Sequence, residues 1–418
     1  MKFSLWIMYI CFYRRVYYLN PKNIPDKGTA VIFVSNHSNG FMDPTLIAAF
    51  QPRPVYFWVA AGEIPKNFVG KLMRHLNCIP IYRVKEGRDK MYKNKASFQE
   101  TKDYLYTGWS SMWIAPEGRC FVQKRLEPIK KGTARLAFEM MEEKNWALDL
   151  QILPTGVNYT YHVQFRSEVY VNLGQPLKII DYKEQFLENQ EIAIAQLTND
   201  IQQGIRQKMV YIEEENIELT EGFLPLLRHN FKRSLWPLFS ADPHLCHGEQ
   251  QLANRITQAT EAEKKDWAAQ LEAYSKALEQ EKVSDFAVAH QNKRSILAVL
   301  LGLPFGIAGT VAGWLPHQVA SKLRNKFVPF PAFSTSFALT AAMAVWILWS
   351  IIIMSIGAFI VGWWVLPWPF IMVLLQTFAY HYVDYTKEWY ALFKFNNKKT
   401  ASKNALQAKR KTLPLIGV

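Results

Sequence analysis

The run from Val328 to Val383 limits the folding of this chain more than any other stretch. It holds 56 residues without Asp, Glu, Lys or Arg. About 20 apolar residues cross a bilayer core, so the run has room for two crossings. They fall near Phe337–Val361 and Phe370–Val383, the second reaching Trp389 at the interface. The turn between them, Gly362-Trp-Trp-Val-Leu-Pro-Trp-Pro369, carries interfacial tryptophans and no charge. A second uncharged stretch, Ser295 to Leu315, has 21 residues, among them Gly302, Pro304, Gly306, Gly309 and Gly313. That glycine and proline content suits a re-entrant loop covered by protein, with a simple span as the alternative. Lys293-Arg294, then Lys322, Arg324 and Lys326, then Lys394 to Lys411 flank the two runs. Basic flanks prefer the cytoplasm. Residues 295–418 therefore read as a membrane anchor with a basic tail, made of the segment 295–315 and a helical hairpin over 328–389.

The rest of the composition fits that setting. Aromatic residues make up 14% of the 418 residues, and the net charge is +14. Such a charge permits nucleic acid or anionic lipid as a partner. Much of it follows the membrane segments, where it reads as topology and lipid binding, so no nucleic-acid partner is expected. The four cysteines stand apart with no CxxC pair, which suggests neither a disulfide framework nor a structural zinc site. Residues 1–27 hold an apolar, aromatic run, Phe3 to Tyr13, closed by Arg14-Arg15. It is too short to span and lacks a cleavage site, so an interfacial helix is expected.

Between about Gly28 and Leu177 strand-like and helix-like stretches alternate. Strands are expected at Ala30–Val34, Pro54–Ala60, Cys78–Tyr82, Ser111–Ala115, Leu150–Leu153 and Glu168–Leu173. Helices are expected around Pro44–Phe50, Lys66–His75, Lys93–Tyr106 and Gly132–Glu143. This is the pattern of an α/β domain with a mostly parallel core sheet flanked by helices. Sites in such sheets form where strands end. His37 follows one strand, with Asp43-Pro44 read as the N-cap and first residue of the next helix. Arg83 follows another, and Pro116-Glu117-Gly118-Arg119 a third. Pro154-Thr155-Gly156 is read as a fourth strand end. An imidazole oriented by a carboxylate can take a proton from an alcohol, and an arginine fork suits a phosphate.

The ordered set Asn36-His37…Asp43, Ile81-Tyr82-Arg83, Pro116-Glu117-Gly118-Arg119 and Leu153-Pro154-Thr155-Gly156 resembles the four blocks of the glycerolphosphate/lysophosphatidate acyltransferase superfamily. Lys130-Lys131-Gly132 and Val171 to Pro176 also fall where that family has similar residues, and the likeness covers roughly residues 20–180. It implies that His37 and Asp43 are the catalytic pair. Arg83, Gly118 and Arg119 would hold the acceptor phosphate, with Glu117, Lys131 and Pro154 in the same substrate-binding set. Two features depart from the usual blocks. Five residues, not four, separate His37 from Asp43, and Arg119 follows Gly118 directly, with Cys120 next. The longer first block is similar to yeast-type glycerol-3-phosphate acyltransferases and related bacterial sequences.

The resemblance implies a membrane-bound acyltransferase of phospholipid synthesis, with its catalytic domain (28–177) facing the cytoplasm. The donor would be acyl-CoA or an acyl-carrier protein and the acceptor glycerol-3-phosphate, with membrane lipid as the surroundings. Lysophosphatidate is the alternative acceptor, and a catalytically inactive lipid-binding scaffold is the alternative of another class. No cofactor and no metal are expected. Residues 178–294 read as amphipathic helices; His244, Cys246 and His247 there have no usual metal spacing. Within them, Leu271 to Tyr274 and Ser284-Asp285 are similar to a helical segment after the acyltransferase domain of the yeast-type enzymes.

Overall fold

The computed structural model describes residues 5, 6, 9, 12–83, 87–231, 239–290 and 294–417. The expected N-terminal helix lies partly outside the described residues, as do Lys293 and Val418. The chain forms two compact units: Met1–Trp6 with Val16–Val210, and Ile7–Arg15 with Tyr211–Val418.

The first unit is built on one sheet. Its strands are β1 (Arg15–Leu19), β2 (Ala30–Ser35), β3 (Val55–Ala60), β4 (Cys78–Ile81), β5 (Ser111–Ile114), β6 (Leu150–Tyr159), β7 (Glu168–Leu173) and β8 (Leu177–Lys178). They lie in the order β4-β3-β5-β2-β6-β7-β1, with β8 also on β6. The pairs β3–β4, β3–β5, β2–β5 and β2–β6 are parallel. β7 and β8 pair antiparallel with β6. The expected mostly parallel core with flanking helices is therefore present. β2 lies near its centre, and Val31, Ile32, Phe33 and Val34 are each fully buried. A strand covered on both faces reads as an unbroken apolar run, and each such side chain contributes roughly 1.5–3 kcal/mol by leaving water.

Helices α1 (Met42–Ala49), α2 (Phe68–His75), α3 (Asn94–Tyr106), α4 (Gly132–Glu143), α5 (Lys183–Glu188) and α6 (Gln190–Lys208) complete this unit. Tyr56 of β3 stacks on Tyr104 of α3 at 3.7 Å, and Phe138 of α4 on Phe186 of α5 at 4.4 Å. A Cβ at Gly204 of α6 would lie 2.7 Å from the Pro154 ring, so α6 can reach the sheet there only with glycine.

Two expectations fail here. Arg15–Leu19 is a strand, whereas the basic pair Arg14-Arg15 had suggested only the flank of a helix. The fourth block is not a strand end. Thr155 to Tyr159 continue β6 because β7 pairs with them on one side, and tertiary pairing overrides the turn preference of Pro154 and Gly156.

The second unit is helical: α7 (Ile217–Arg228), α8 (His244–Gln258), α9 (Glu261–Glu281), α10 (Asp285–Ala289), α11 (Ile296–Phe327), α12 (Pro331–Val361), α13 (Trp368–Asn396) and α14 (Thr400–Thr412). Asp285 joins four of its segments. Its carboxylate meets His229 Nδ1 at 2.8 Å and accepts from the Tyr274 hydroxyl at 2.6 Å and from Arg410 Nε at 2.8 Å. Burial pushes this carboxyl up, but the His229, Arg410 and Tyr274 bonds outweigh it and hold it below its ordinary value.

Among the described residues, two segments are long and apolar enough to cross a membrane: Ile296–Phe327, 32 residues, and Pro331–Val365, 35 residues. The 295–315 run is a continuous helix, not a broken one. Its glycines serve a different purpose from the one expected. Gly302 and Gly306 lie against Tyr382, Gly309 against the Leu375 backbone and Gly313 against Gln376, all on α13. Spacings of four, three and four put these glycines on one face, where small residues let two helices approach closely.

Candidate active site

His37 stands where β2 runs into the loop before α1. Its Nδ1 is 2.8 Å from Asp43 Oδ2. Asp43 does not cap α1, as Asp-Pro had suggested. The helix begins at Met42, with Phe41 as its flanking residue. Asp43 instead turns its fully buried carboxylate back under the loop. Oδ2 also accepts the backbone N–H groups of Ser38 and Asn39, both at 2.8 Å, and Oδ1 accepts the Tyr159 hydroxyl at 2.6 Å. The five intervening residues make this possible. Asn39 O accepts from Met42 N–H at 2.9 Å, closing a turn in which Gly40 takes φ +46°. Backbone donors thereby converge on one carboxylate oxygen, and Asp43 in turn orients the imidazole and fixes which nitrogen faces it.

Other groups hold the same loop. The Asn36 side chain bonds both ways to the Val157 backbone, at 2.8 Å each, which ties the loop to β6. Trp113 sets its ring edge-on to His37 at 5.2 Å. Glu117, expected among the substrate-binding residues, is buried. Its Oε1 accepts the His37 N–H at 3.0 Å and its Oε2 the Glu127 N–H at 2.9 Å. Both oxygens are engaged by backbone N–H groups, which ties the His37 loop to the Glu127 segment. Burial pushes this carboxyl up to about 7 against those two bonds.

Gly118 has φ +70°, and a Cβ there would lie 2.5 Å from Lys130 Nζ. The backbone therefore needs glycine at this point. Cys120 follows two residues on; its sulfur accepts the Gly40 N–H at 3.3 Å and is the second hydrogen-bond partner of His37. Burial would push the imidazole down, but the bonds to Asp43 and Cys120 outweigh it and raise it to about 10. The donor atoms of His37, Asp43 and Cys120 lie within 4.8 Å of one another. Both Asp43 oxygens are already bonded, so this is a hydrogen-bonded acid–base group more than a vacant cation site.

The remaining expected residues divide. Arg119 is exposed and sits at the end of β5, the strand next to β2. Arg83 sits past the end of β4, three strands from β2. At about 4.8 Å per strand that is roughly 14 Å along the sheet. Arg83 Nη2 pairs with Glu63 at 3.2 Å. Lys131 is exposed at the start of α4 and pairs with Glu191 of α6 at 3.3 Å. Pro154 is buried within β6, level with Val34, and its carbonyl accepts the Gly174 N–H at 2.7 Å. Pro154 thus serves the sheet here, while Lys131 lies at the surface in an exposed ion pair. In the second unit Cys246 is buried on α8, whereas His244 and His247 are exposed, so those three do not converge. Tyr159 went unread in the sequence, and Asn36 and Cys120 were read only as neighbours of His37 and Arg119 in their blocks.

The Acyltransferase family model matches residues 15–158. An uncharacterized acyltransferase of Schizosaccharomyces pombe is 23% identical over 260 residues, covering 42% of this chain and 38% of that protein. Glycerol-3-phosphate O-acyltransferase 1 of Saccharomyces cerevisiae is 31% identical over 96 residues, covering 22% of this chain and 12% of that protein. This chain thus spans well under half the length of these curated relatives. The crystal structure of a 1-acyl-sn-glycerophosphate acyltransferase from Thermotoga maritima aligns with a TM-score of 0.33 and 18% identity, over 46% of this chain and 70% of that one. The family match takes in the His37 loop, the Arg83 and Arg119 turns and β6 up to Asn158, so it is the sheet-bearing part of the chain that is similar to the Acyltransferase family.

Proposed function

We propose that the chain is a membrane-bound glycerolipid O-acyltransferase that moves an acyl group from a thioester, acyl-CoA or acyl-carrier protein, to glycerol-3-phosphate. The observation that carries this reading is the Asp43-oriented His37 at a strand end, next to the strand end bearing Arg119. Asp43 occupies Nδ1, so Nε2 is the nitrogen that serves substrate, and the Cys120 contact with the imidazole has to yield as substrate enters. Nε2 takes the proton as the acceptor hydroxyl oxygen attacks the thioester carbonyl, and Asp43 stabilises the imidazolium. The tetrahedral intermediate then expels the thiolate, which takes the proton from His37. No covalent acyl-enzyme is needed. Arg119 is the nearer phosphate ligand by strand position. Arg83 must exchange its Glu63 partner to serve the same group.

The acceptor rests on the longer first block and on the printed name of the Saccharomyces relative. The membrane reading rests on the two long apolar segments and their basic flanks. Arg294, just before α11, pairs with Glu388 near the end of α13. The apolar region thus begins and ends at one place, which supports an even number of crossings and a cytoplasmic C-terminus.

Purified protein in detergent, given an acyl thioester with glycerol-3-phosphate or with 1-acylglycerol-3-phosphate, tests this. Faster product formation from glycerol-3-phosphate is expected. Preference for the lysolipid would reassign the acceptor, and no product from either across donors would favour the non-catalytic scaffold. Arg119→Ala should raise the acceptor KM more than Arg83→Ala does.

A further inference from the structure

Helix α2 is folded inside out. At 100° per residue, Phe68, Val69, Leu72 and Leu76 at its end fall within about 100° of arc. Ordinarily that stripe would face the core. Here the four are 77%, 51%, 43% and 37% exposed. The opposite side is the one that touches the protein. Gly70 is buried, and a Cβ there would lie 1.6 Å from the Pro65 carbonyl oxygen. Arg74 donates to Cys78 O at 2.7 Å and to Glu100 at 2.8 Å. Asn67 caps the start by accepting the Val69 N–H at 2.9 Å. The helix is therefore well anchored by a glycine, an arginine and a cap, with its apolar stripe outward.

The charge around it is mainly positive. Lys66, Lys71, Arg74 and Arg83 fall between Glu63 and Glu86 in the sequence, with Arg83 paired to Glu63 and Arg74 to Glu100. Lys66 and Lys71 are exposed. The next turn adds Tyr92, 74% exposed. An outward apolar stripe with a basic collar matches the headgroup and acyl boundary of an anionic bilayer. A second copy of the chain would bring the same positive collar against it, and the like charges would repel.

We infer that α2 is a membrane-contact element of the acyltransferase unit, seated in the surface of an anionic bilayer through Phe68, Val69, Leu72 and Leu76. The inference rests on the membrane reading of the second unit, because α11 and α12 are what keep a bilayer within reach. Seating α2 would bring the unit that holds His37 down to the layer where acyl chains are presented.

Full-length protein in vesicles of phosphatidylcholine and phosphatidylglycerol tests it by photocrosslinking. The photoreactive residue p-benzoylphenylalanine replaces, one at a time, Phe68, Leu72, Ile192 and Phe359. Ile192 is exposed on α6 outside the stripe, and Phe359 is exposed on α12. Lipid adducts are expected at 68, 72 and 359, with loss of the adduct at 192. Adducts at 359 but not at 68 or 72 would overturn the inference and leave the membrane reading standing. No adduct at any position would overturn both, and a chain-to-chain adduct at 68 would assign the stripe to a second copy. Phe68→Glu with Leu72→Glu should lower transfer in vesicles while sparing transfer from a short-chain, water-soluble thioester in detergent. Equal loss in both media would show a folding defect of α2 in place of lost membrane contact, and would overturn the inference.

Discussion

Two carboxylates in this chain hold a histidine and a tyrosine with the same bond lengths. Asp43 has His37 at 2.8 Å and Tyr159 at 2.6 Å; Asp285 has His229 at 2.8 Å and Tyr274 at 2.6 Å. The difference lies in what completes each carboxylate. Asp43 is finished by two backbone N–H groups, which are neutral. Its negative charge is left to act on the imidazole, which is raised to about 10. Asp285 is finished by the Arg410 guanidinium, which balances the charge and ties α14 to α7, α9 and α10. A His–Asp–Tyr geometry is therefore not by itself a catalytic signature. On the proposed reading, the charge of the fourth partner is what separates an activated base from a fastening between helices.

The largest expected effect breaks the likeness outright. His37→Ala should lower kcat by about 10²–10⁴, the usual contribution of a general base, with little change in Tm. His229→Ala should leave kcat alone and lower stability by about 1.5–3 kcal/mol, the range for a hydrogen bond to a charged group. Equal loss of activity in both, measured by initial rates on folded protein, would end the distinction.

The carboxylates come next. Asp43→Asn should cut kcat at least about 10²-fold, since an amide has too few acceptor sites for four donors and carries no charge. Asp285→Asn should instead destabilise by about 3 kcal/mol, because it leaves Arg410 without its buried partner. Denaturant titration against a rate assay separates the two outcomes.

A smaller effect is expected in the pH dependence. The base must be neutral to act, and its pKa is raised, so kcat/KM should keep rising with pH beyond the ordinary histidine range, up to about 10. Cys120→Ala removes one of the raising contacts and should move that limb to lower pH. The linkage signs also differ. His37, with its raised pKa, adds stability that is present below about 6.5 and lost as pH rises through about 10. Asp285, with its lowered pKa, adds stability that is present above the ordinary Asp value of about 3.9 and lost as pH falls below it. An unmoved limb in Cys120→Ala would remove the thiol from the base's environment.

The smallest effect concerns the tyrosines. Tyr159→Phe should lower kcat about tenfold or less, since the backbone donors remain to orient Asp43. Tyr274→Phe should be seen only in Tm.

Much of the first unit was legible, because its cues are local. β2 is an apolar run bounded by turn residues, and α4 begins and ends where its periodicity does. The His37–Asp43 pair was legible because the partners are six residues apart in sequence. Tyr159 was not, since it lies 116 residues from Asp43 and reaches it only after β6 has packed beside β2. The β6 extension was hidden by Pro154 and Gly156, whose local preference for a turn is overruled by β7. The glycines of α11 were misread for a similar reason. Nothing near them in sequence shows that α13 lies against them.

That contact also sets an order of assembly. The partners Arg294 and Glu388 are 94 residues apart. Synthesis adds about 5–20 residues per second, so a newly made α11 is without α13 for on the order of 5–20 s. If α11 has entered a bilayer by then, its glycine face meets lipid first and exchanges lipid for helix only later. The α11–α13 pair is thus completed from its far end, and a chain stopped short of α13 leaves that face open to the corresponding faces of other unfinished chains.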